Sequence, residues 1–242
     1  MTQDTSHTPQ IAPTSPLPDD ATPASSVSAD ATVASAVVEN LNPARRTRLS
    51  PEDRRARILE AATTEFATYG FEGVPIAQIA GASGCSLGLL YRYFANKADL
   101  YNAVVDAVLS RSWAKHEEIQ AAFPEGTSRR DRVQAFIQLY LDEVEDHPES
   151  WRNLLTGSGG APAESTQLLR DMRTKQSDWL SGLFPDRTDA RFAYAVPGLF
   201  GMLEACALEW GGRGFPDAER WPIIMAILDG FQGAIGDWGS GT

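Results

Sequence analysis

An all-α fold is predicted by three features of the 242-residue sequence. Apolar residues recur at helical spacing in block after block, and helix start and stop signals punctuate them. No strand-like alternation or βαβ pattern competes. Hydrophobic residues make up 43% of the chain, enough for one or two domains with real cores. No run of about 18 apolar residues occurs, so no membrane span is expected. The first residues contain no Lys or Arg before Arg45 and no compact apolar stretch, which argues against a signal peptide. Cys85 and Cys206 lie far apart and read as reduced residues of a cytoplasmic protein.

Residues 1–44 are rich in Ala, Ser, Thr, Pro and Asp without periodicity, and are expected to be a disordered tail. Residues 45–49 form a basic arm. Ser50-Pro51-Glu52-Asp53 then offers an N-cap, a proline at the first helical position and an early acid. Leu59, Ala62 and Phe66 follow at helical spacing until Gly70 stops the helix. Pro75 opens a short helix with Ile76, Ile79 and Ala80 on one face. After the turn Gly81-Ala82-Ser83-Gly84, a third helix spans Ser86 to Phe94, with Leu90 and Phe94 on one side. Asn96 caps a fourth helix, with Asp99 at its third position and Leu100, Val104, Ala107 and Val108 inward.

The remainder, residues 111–242, is also predicted helical. Ser128-x-x-Asp131 resembles a capping box, followed by Val133, Phe136, Ile137, Tyr140, Leu141 and Val144; His147-Pro148 ends that helix. A short helix spans Trp151–Thr156, and Leu168, Met172, Trp179 and Leu183 mark the next. Two apolar helices run from about Thr188 to Trp210 and from Asp217 to about Trp238. The total is about nine.

Charge divides the chain. Net charge is -11, yet residues 45–97 carry eight bases against five acids, between two acidic segments. For nucleic-acid binding, such local charge matters more than the whole-chain balance. Residues 50–110 form the first folded unit, and within it residues 75–94 have the layout of a helix-turn-helix: two short helices and a glycine-containing turn behind a longer supporting helix. Periodicity alone leaves DNA binding and an ordinary three-helix packing unit equally open.

The residues Arg57-Ile58-Leu59-Glu60-Ala61-Ala62, Phe66, Tyr69-Gly70-Phe71, Ile79-Ala80, Gly84-Cys85-Ser86, Gly88, Leu90-Tyr91-Arg92-Tyr93-Phe94, Asn96-Lys97 and Leu100 resemble the N-terminal domain of the TetR family of regulators. The resemblance implies a homodimer that binds double-stranded operator DNA and represses a promoter until a small-molecule effector binds. It places Ser86, Leu87, Gly88, Tyr91 and Tyr93 at the start and outer side of the recognition helix, against base edges or phosphates. Lys97 favours a phosphate, and Gln78 suits a phosphate or an adenine edge. Arg92 fits a DNA contact or a solvated ion pair equally. The family usually carries polar or small residues where Leu87 and Leu89 stand, so Leu87 is expected to meet thymine methyls. Leu89 either does the same or turns inward. Pro75 also replaces the family's usual hydroxyl cap. Arg45, Arg46 and Arg48 either enter a minor groove or neutralise phosphates, or else form a solvated linker.

The resemblance fades after about residue 110. Tyr140, Trp151, Met172 and Trp179 lie on the middle helices, where the family binds effectors, and are candidate walls of a largely apolar pocket. Glu204 either orients a polar or cationic ligand or faces the dimer partner or solvent. Gly198, Gly201 and Ala205, with Gly230 and Gly233, carry small residues at helical spacing on the last two helices. They suit close approach across a two-fold axis, or merely loosen the helices. Pro197 should kink its helix. No catalytic constellation, metal cluster or cofactor loop is visible, and His116 and His147 read as solvated histidines. The alternative to an effector-controlled regulator is a constitutive DNA-binding or scaffolding protein.

Overall fold

In the computed structural model, which describes residues 49–156 and 160–239, nine helices and no strand are found among the described residues. They run α1 (Pro51–Gly73), α2 (Ile76–Ala82), α3 (Leu87–Tyr93), α4 (Lys97–Ala122), α5 (Arg129–Asp146), α6 (Pro148–Thr156), α7 (Ala163–Gly182), α8 (Ala190–Gly212) and α9 (Asp217–Ile235). The predicted all-α class and helix number hold. The expected tail, 1–44, and Arg45, Arg46 and Arg48 lie outside the described residues.

Local chemistry sets the helix starts. Ser50 Oγ accepts the Asp53 N–H at 3.0 Å. Ser128 Oγ accepts the Asp131 N–H at 3.1 Å and donates to its carboxylate at 2.7 Å. Asn96 Oδ1 accepts the Asp99 N–H at 2.8 Å, while Asp99 Oδ2 accepts from the Ala95 N–H at 2.9 Å. This reciprocal pair satisfies one donor that the first turn of α4 would otherwise leave open and one on the residue just before the cap. Asn96→Ala should therefore cost about 1 kcal/mol, read as a lower urea midpoint at unchanged m-value. An unchanged midpoint would mean that water replaces the cap at no cost.

The buried stripe of α1 is Ile58, Ala62 and Phe66, one residue back from the predicted start at Leu59, which is half-buried. Gly70 stops the regular helix as predicted, with φ 69° in the left-handed region, and one further turn reaches Gly73. That detour carries Phe71 onto α4, where Tyr101 receives the Phe66 and Phe71 rings at 5.0 and 5.1 Å. At 26 residues α4 spans about 39 Å. Its first half packs on α1 and its second half on α5 and α7, so the boundary expected at residue 110 falls inside one continuous helix.

The buried side of α8 carries Phe192, Val196, Leu199, Phe200, Leu203, Ala207 and Trp210. By length and composition this 23-residue helix could cross a membrane, but Arg191, Glu204 and Glu209 interrupt it and its apolar stripe faces protein. Pro197, expected to kink it, lies on the exposed side, and α8 continues through to Gly212. α9 packs along α8 and is tied down by charged side chains. Arg191 donates to Gly233 O at 2.6 Å, and Arg187 to Ile235 O at 2.6 Å. Arg220 pairs with Asp142 and, at 2.9 Å, with Glu145 of α5.

Candidate functional site

The first candidate site is built by α1, α2 and α3. α2 ends in a Schellman turn: the Cys85 N–H reaches Ala80 O at 3.0 Å and the Gly84 N–H reaches Gly81 O at 3.0 Å. Gly84 holds φ 68°, a conformation in which a Cβ is strained, which is why glycine stands there. Cys85 follows as the half-buried contact that accompanies such turns, with Sγ 3.1 Å from Ser83 Oγ. Ser86 then caps α3 by accepting the Leu89 N–H at 3.2 Å. Ile79, Ala80, Leu90 and Phe94 are buried in one cluster with Ile58 and Ala62. That anchorage turns the opposite face of α3 outward.

The outward face carries Leu87 (40% exposed), Gly88, Tyr91 (45% exposed) and Arg92. Nothing lies within 4 Å of where a Gly88 Cβ would stand, so the backbone there is open to close approach. Leu89 is half-buried, between its two expected placements, and Tyr93 is half-buried against the core. Gln78 is exposed and donates to Glu65 Oε2 of α1 at 2.6 Å. Lys97 folds back on α1, its ammonium 5.0 Å from the Phe71 ring centroid and 3.4 Å from Glu72 O. Lys97 therefore also holds α4 to the last turn of α1. Arg55, not singled out by sequence, lies over the Phe94 ring at 5.1 Å and sets an exposed cation at the C-terminal end of α3.

A second candidate site lies between α4, α5, α6 and α7. Two adjoining cavities share Leu109, Tyr140, Trp151, Met172 and Gln176 in their walls. The inner one, about 20 Å³, adds Trp113, His116 and Phe136. The outer one, about 270 Å³, adds Leu155, Leu169, Arg170, Arg173 and Glu204. Tyr140, Trp151, Met172 and Glu204 thus come together, as grouped by the sequence. Trp179 does not join them; it meets His116 edge-to-face at 4.4 Å and lies tilted against Phe136 at 5.2 Å, behind the wall.

His116, expected to be solvated, is 2% exposed among the Trp113, Phe136 and Trp179 rings. Its charged chain neighbours hid its register: Leu109, Trp113 and His116 share one face at i, i+4, i+7. Burial pulls its pKa down to about 4 against a smaller upward push from Glu117, so the ring is neutral near pH 7. Burial raises the Tyr140 phenol far above its ordinary range, against a smaller opposite effect of Arg173, and keeps it a hydroxyl donor. Glu204 forms an ion pair with Arg173, whose guanidinium also lies 4.5 Å over the Phe200 ring. The sequence reading missed Arg173, because only the packing of α7 on α8 brings it to Glu204.

On the far side of α8 and α9, Gly198, Gly201, Ala205, Gly230 and Gly233 are all exposed. Of these, Gly198 and Gly230 line a shallow groove of about 440 Å³ with Tyr194, 80% exposed, and Met202. Gly201 and Gly233 meet nothing within 4 Å, whereas a Cβ on Gly230 would meet Met202 Sδ at 3.1 Å.

Residues 58–104 match the model of the family "Bacterial regulatory proteins, tetR family". The HTH-type transcriptional regulator TtgR of Pseudomonas putida is 34% identical over 104 residues, 40% of this chain and 48% of that protein. The HTH-type transcriptional repressor SCO4008 of Streptomyces coelicolor is 30% identical over 120 residues, 48% of this chain and 57% of that protein. The chain thus spans about half the length of the curated relatives it matches. A tetR-family transcriptional regulator from Streptomyces coelicolor has the same fold, with a TM-score of 0.65 at 24% identity, over 78% of this chain and 82% of that one.

Proposed function

We propose, from a chain whose residues 58–104 belong to the tetR family of bacterial regulatory proteins, that this protein is a homodimeric DNA-binding transcriptional regulator. The observation that carries the reading is the outward face of α3, where Leu87, Gly88 and Tyr91 stand on a buried Leu90–Phe94 base. Residues 50–110 are the DNA-binding unit and residues 111–242 the effector and dimer unit. α3 enters the major groove, with Leu87 and, beside it, Leu89 against thymine methyls and Gly88 letting the backbone approach. Tyr91 and the Ser86 end of α3 meet the phosphate backbone, joined by Arg45, Arg46 and Arg48. Arg55 and Arg92 add positive charge beside the same helix. Gln78, Tyr93 and Lys97, which have partners or packing within the chain, act at the edge of this surface.

The exposed small-residue face of α8 and α9 is the dimer surface. Its close-approach positions Gly198, Gly201, Ala205, Gly230 and Gly233 flank Tyr194 and Met202, apolar groups that a second copy would cover. The protein acts as a repressor in the cytoplasm, and a small effector in the α4–α7 cleft releases it from a palindromic operator. α6 supports such coupling. Trp151 and Leu155 line the cleft, while Ser150 and Asn153 line a small cavity with Thr63, Phe66 and Ala67 of α1.

Selection of bound fragments from random duplexes tests this reading. The expected product is an inverted repeat protected over two half-sites about one helical turn apart. Leu87→Ala should relax the preference at one base position per half-site by about 1–3 kcal/mol. Tyr91→Phe should weaken all sequences alike, as loss of a phosphate contact does. Absence of any enriched sequence would overturn the proposal, and an unchanged base preference in Leu87→Ala would remove the methyl contact from it.

A further inference from the structure

The α4–α7 cleft carries more hydrogen-bond donors than its own residues can satisfy. Trp113 Nε1, Tyr140 Oη, Trp151 Nε1 and Arg173 Nη1 are all buried without a partner, on residues that line the two cavities. Tyr140, Trp151 and Trp113 are 6%, 5% and 7% exposed, so water outside the cleft does not serve them. Both nitrogens of His116, which line the inner cavity, are also without a partner. An unanswered buried donor costs about 1–3 kcal/mol, and native proteins keep few of them. Four in one place point to something that answers them.

The charge of the site has a sign. Its one carboxylate in the lining, Glu204, is already matched by Arg173 Nη2, which leaves Nη1 of the same guanidinium free to donate. Arg170 also lines the outer cavity. The other wall residues are uncharged and mostly aromatic or aliphatic, with Ser112, Thr166 and Gln176 as polar exceptions beside His116; the Tyr140 and Trp151 rings lie 5.2 Å apart. A cation would face two guanidinium groups and no unpaired carboxylate in the lining, and a bare hydrocarbon would leave every donor unanswered.

We infer that the cleft takes an organic anion with a flat apolar body, its carboxylate or enolate oxygens accepting from Arg173, Tyr140 and Trp151. The inference rests on reading the cleft as the effector site and names the chemical class of the effector. Arg173 supplies the charge and the two ring donors the orientation.

The test is calorimetric titration of the full chain with three compounds of one ring system: naphthoate, naphthalene and naphthylmethylammonium. Naphthoate is expected to bind at least about tenfold more tightly than naphthalene, with no measurable binding of the ammonium, as one charge-assisted hydrogen bond would require. Arg173→Met combined with Glu204→Gln removes this guanidinium without stranding a carboxylate, and should remove most of the preference for naphthoate over naphthalene. Tyr140→Phe, which keeps the ring, should weaken naphthoate alone. Equal or tighter binding of naphthalene or of the ammonium overturns the assignment, as does failure of all three to bind. The effector reading fails separately: naphthoate binding that leaves operator affinity unchanged would overturn release from DNA while the chemical class stands.

Discussion

Leu90→Ala is expected to destabilise the chain by about 2–5 kcal/mol and to remove operator binding where the native chain still binds. Leu90 is fully buried in the cluster that holds α3 against α1 and α2. α3 has seven residues, and an isolated helix shorter than about 12 residues does not persist in water. Its helicity therefore comes from this anchorage and from the Ser86 cap. Truncating the anchor leaves a void beneath the recognition surface, and the outward positions of Leu87, Gly88 and Tyr91 lose their frame. Leu89 provides the comparison within the same turn. It is half-buried, so Leu89→Ala should cost about 1 kcal/mol and leave the fold intact. Urea unfolding of both variants, with operator affinity measured well below the midpoint, separates the two. Equal losses at the two positions would show that α3 is not held by Leu90.

What could be read from sequence divides by range. The caps at Ser50, Asn96 and Ser128 and the turn at Gly84 are decided by atoms within five residues of one another, so the local string contains them. The buried face of α5 was legible because Val133, Phe136, Ile137, Tyr140, Leu141 and Val144 all point one way. On α1, Ile58 and Leu59 are adjacent and apolar, and only the docking of α2 and α3 decides between them. The failures are tertiary. His116 sits among Lys115, Glu117 and Glu118, so its neighbours advertise solvent while the facing helices bury it. Arg173 meets Glu204 across two helices that share no sequence signal. Lys97 was legible as a cation but not as one lying on Phe71, because the detour at Gly70 is what brings that ring under it.

Acidification should destabilise the protein through His116 by up to about 3 kcal/mol between roughly pH 6.5 and pH 4. The direction follows from the shift. Burial lowers the His116 pKa to about 4, whereas the unfolded chain titrates near its ordinary 6.5. Above that range neither state holds the proton and the stability is complete. As pH falls through the window, the unfolded chain takes up a proton that the folded chain refuses, and stability is lost toward about 4. General protonation of carboxylates acts on the same side, so the wild-type curve alone does not isolate the histidine. His116→Phe does, since it keeps a ring among Trp113, Phe136 and Trp179 and cannot titrate. The stability difference between variant and wild type, from urea midpoints at about pH 7 and about pH 4.5, should move in favour of the variant by about 2–3 kcal/mol. A difference independent of pH would mean that the folded chain protonates His116 as readily as the unfolded one. Water would then reach the inner cavity, and the donors of Trp113, Tyr140 and Trp151 would be served by solvent rather than held open.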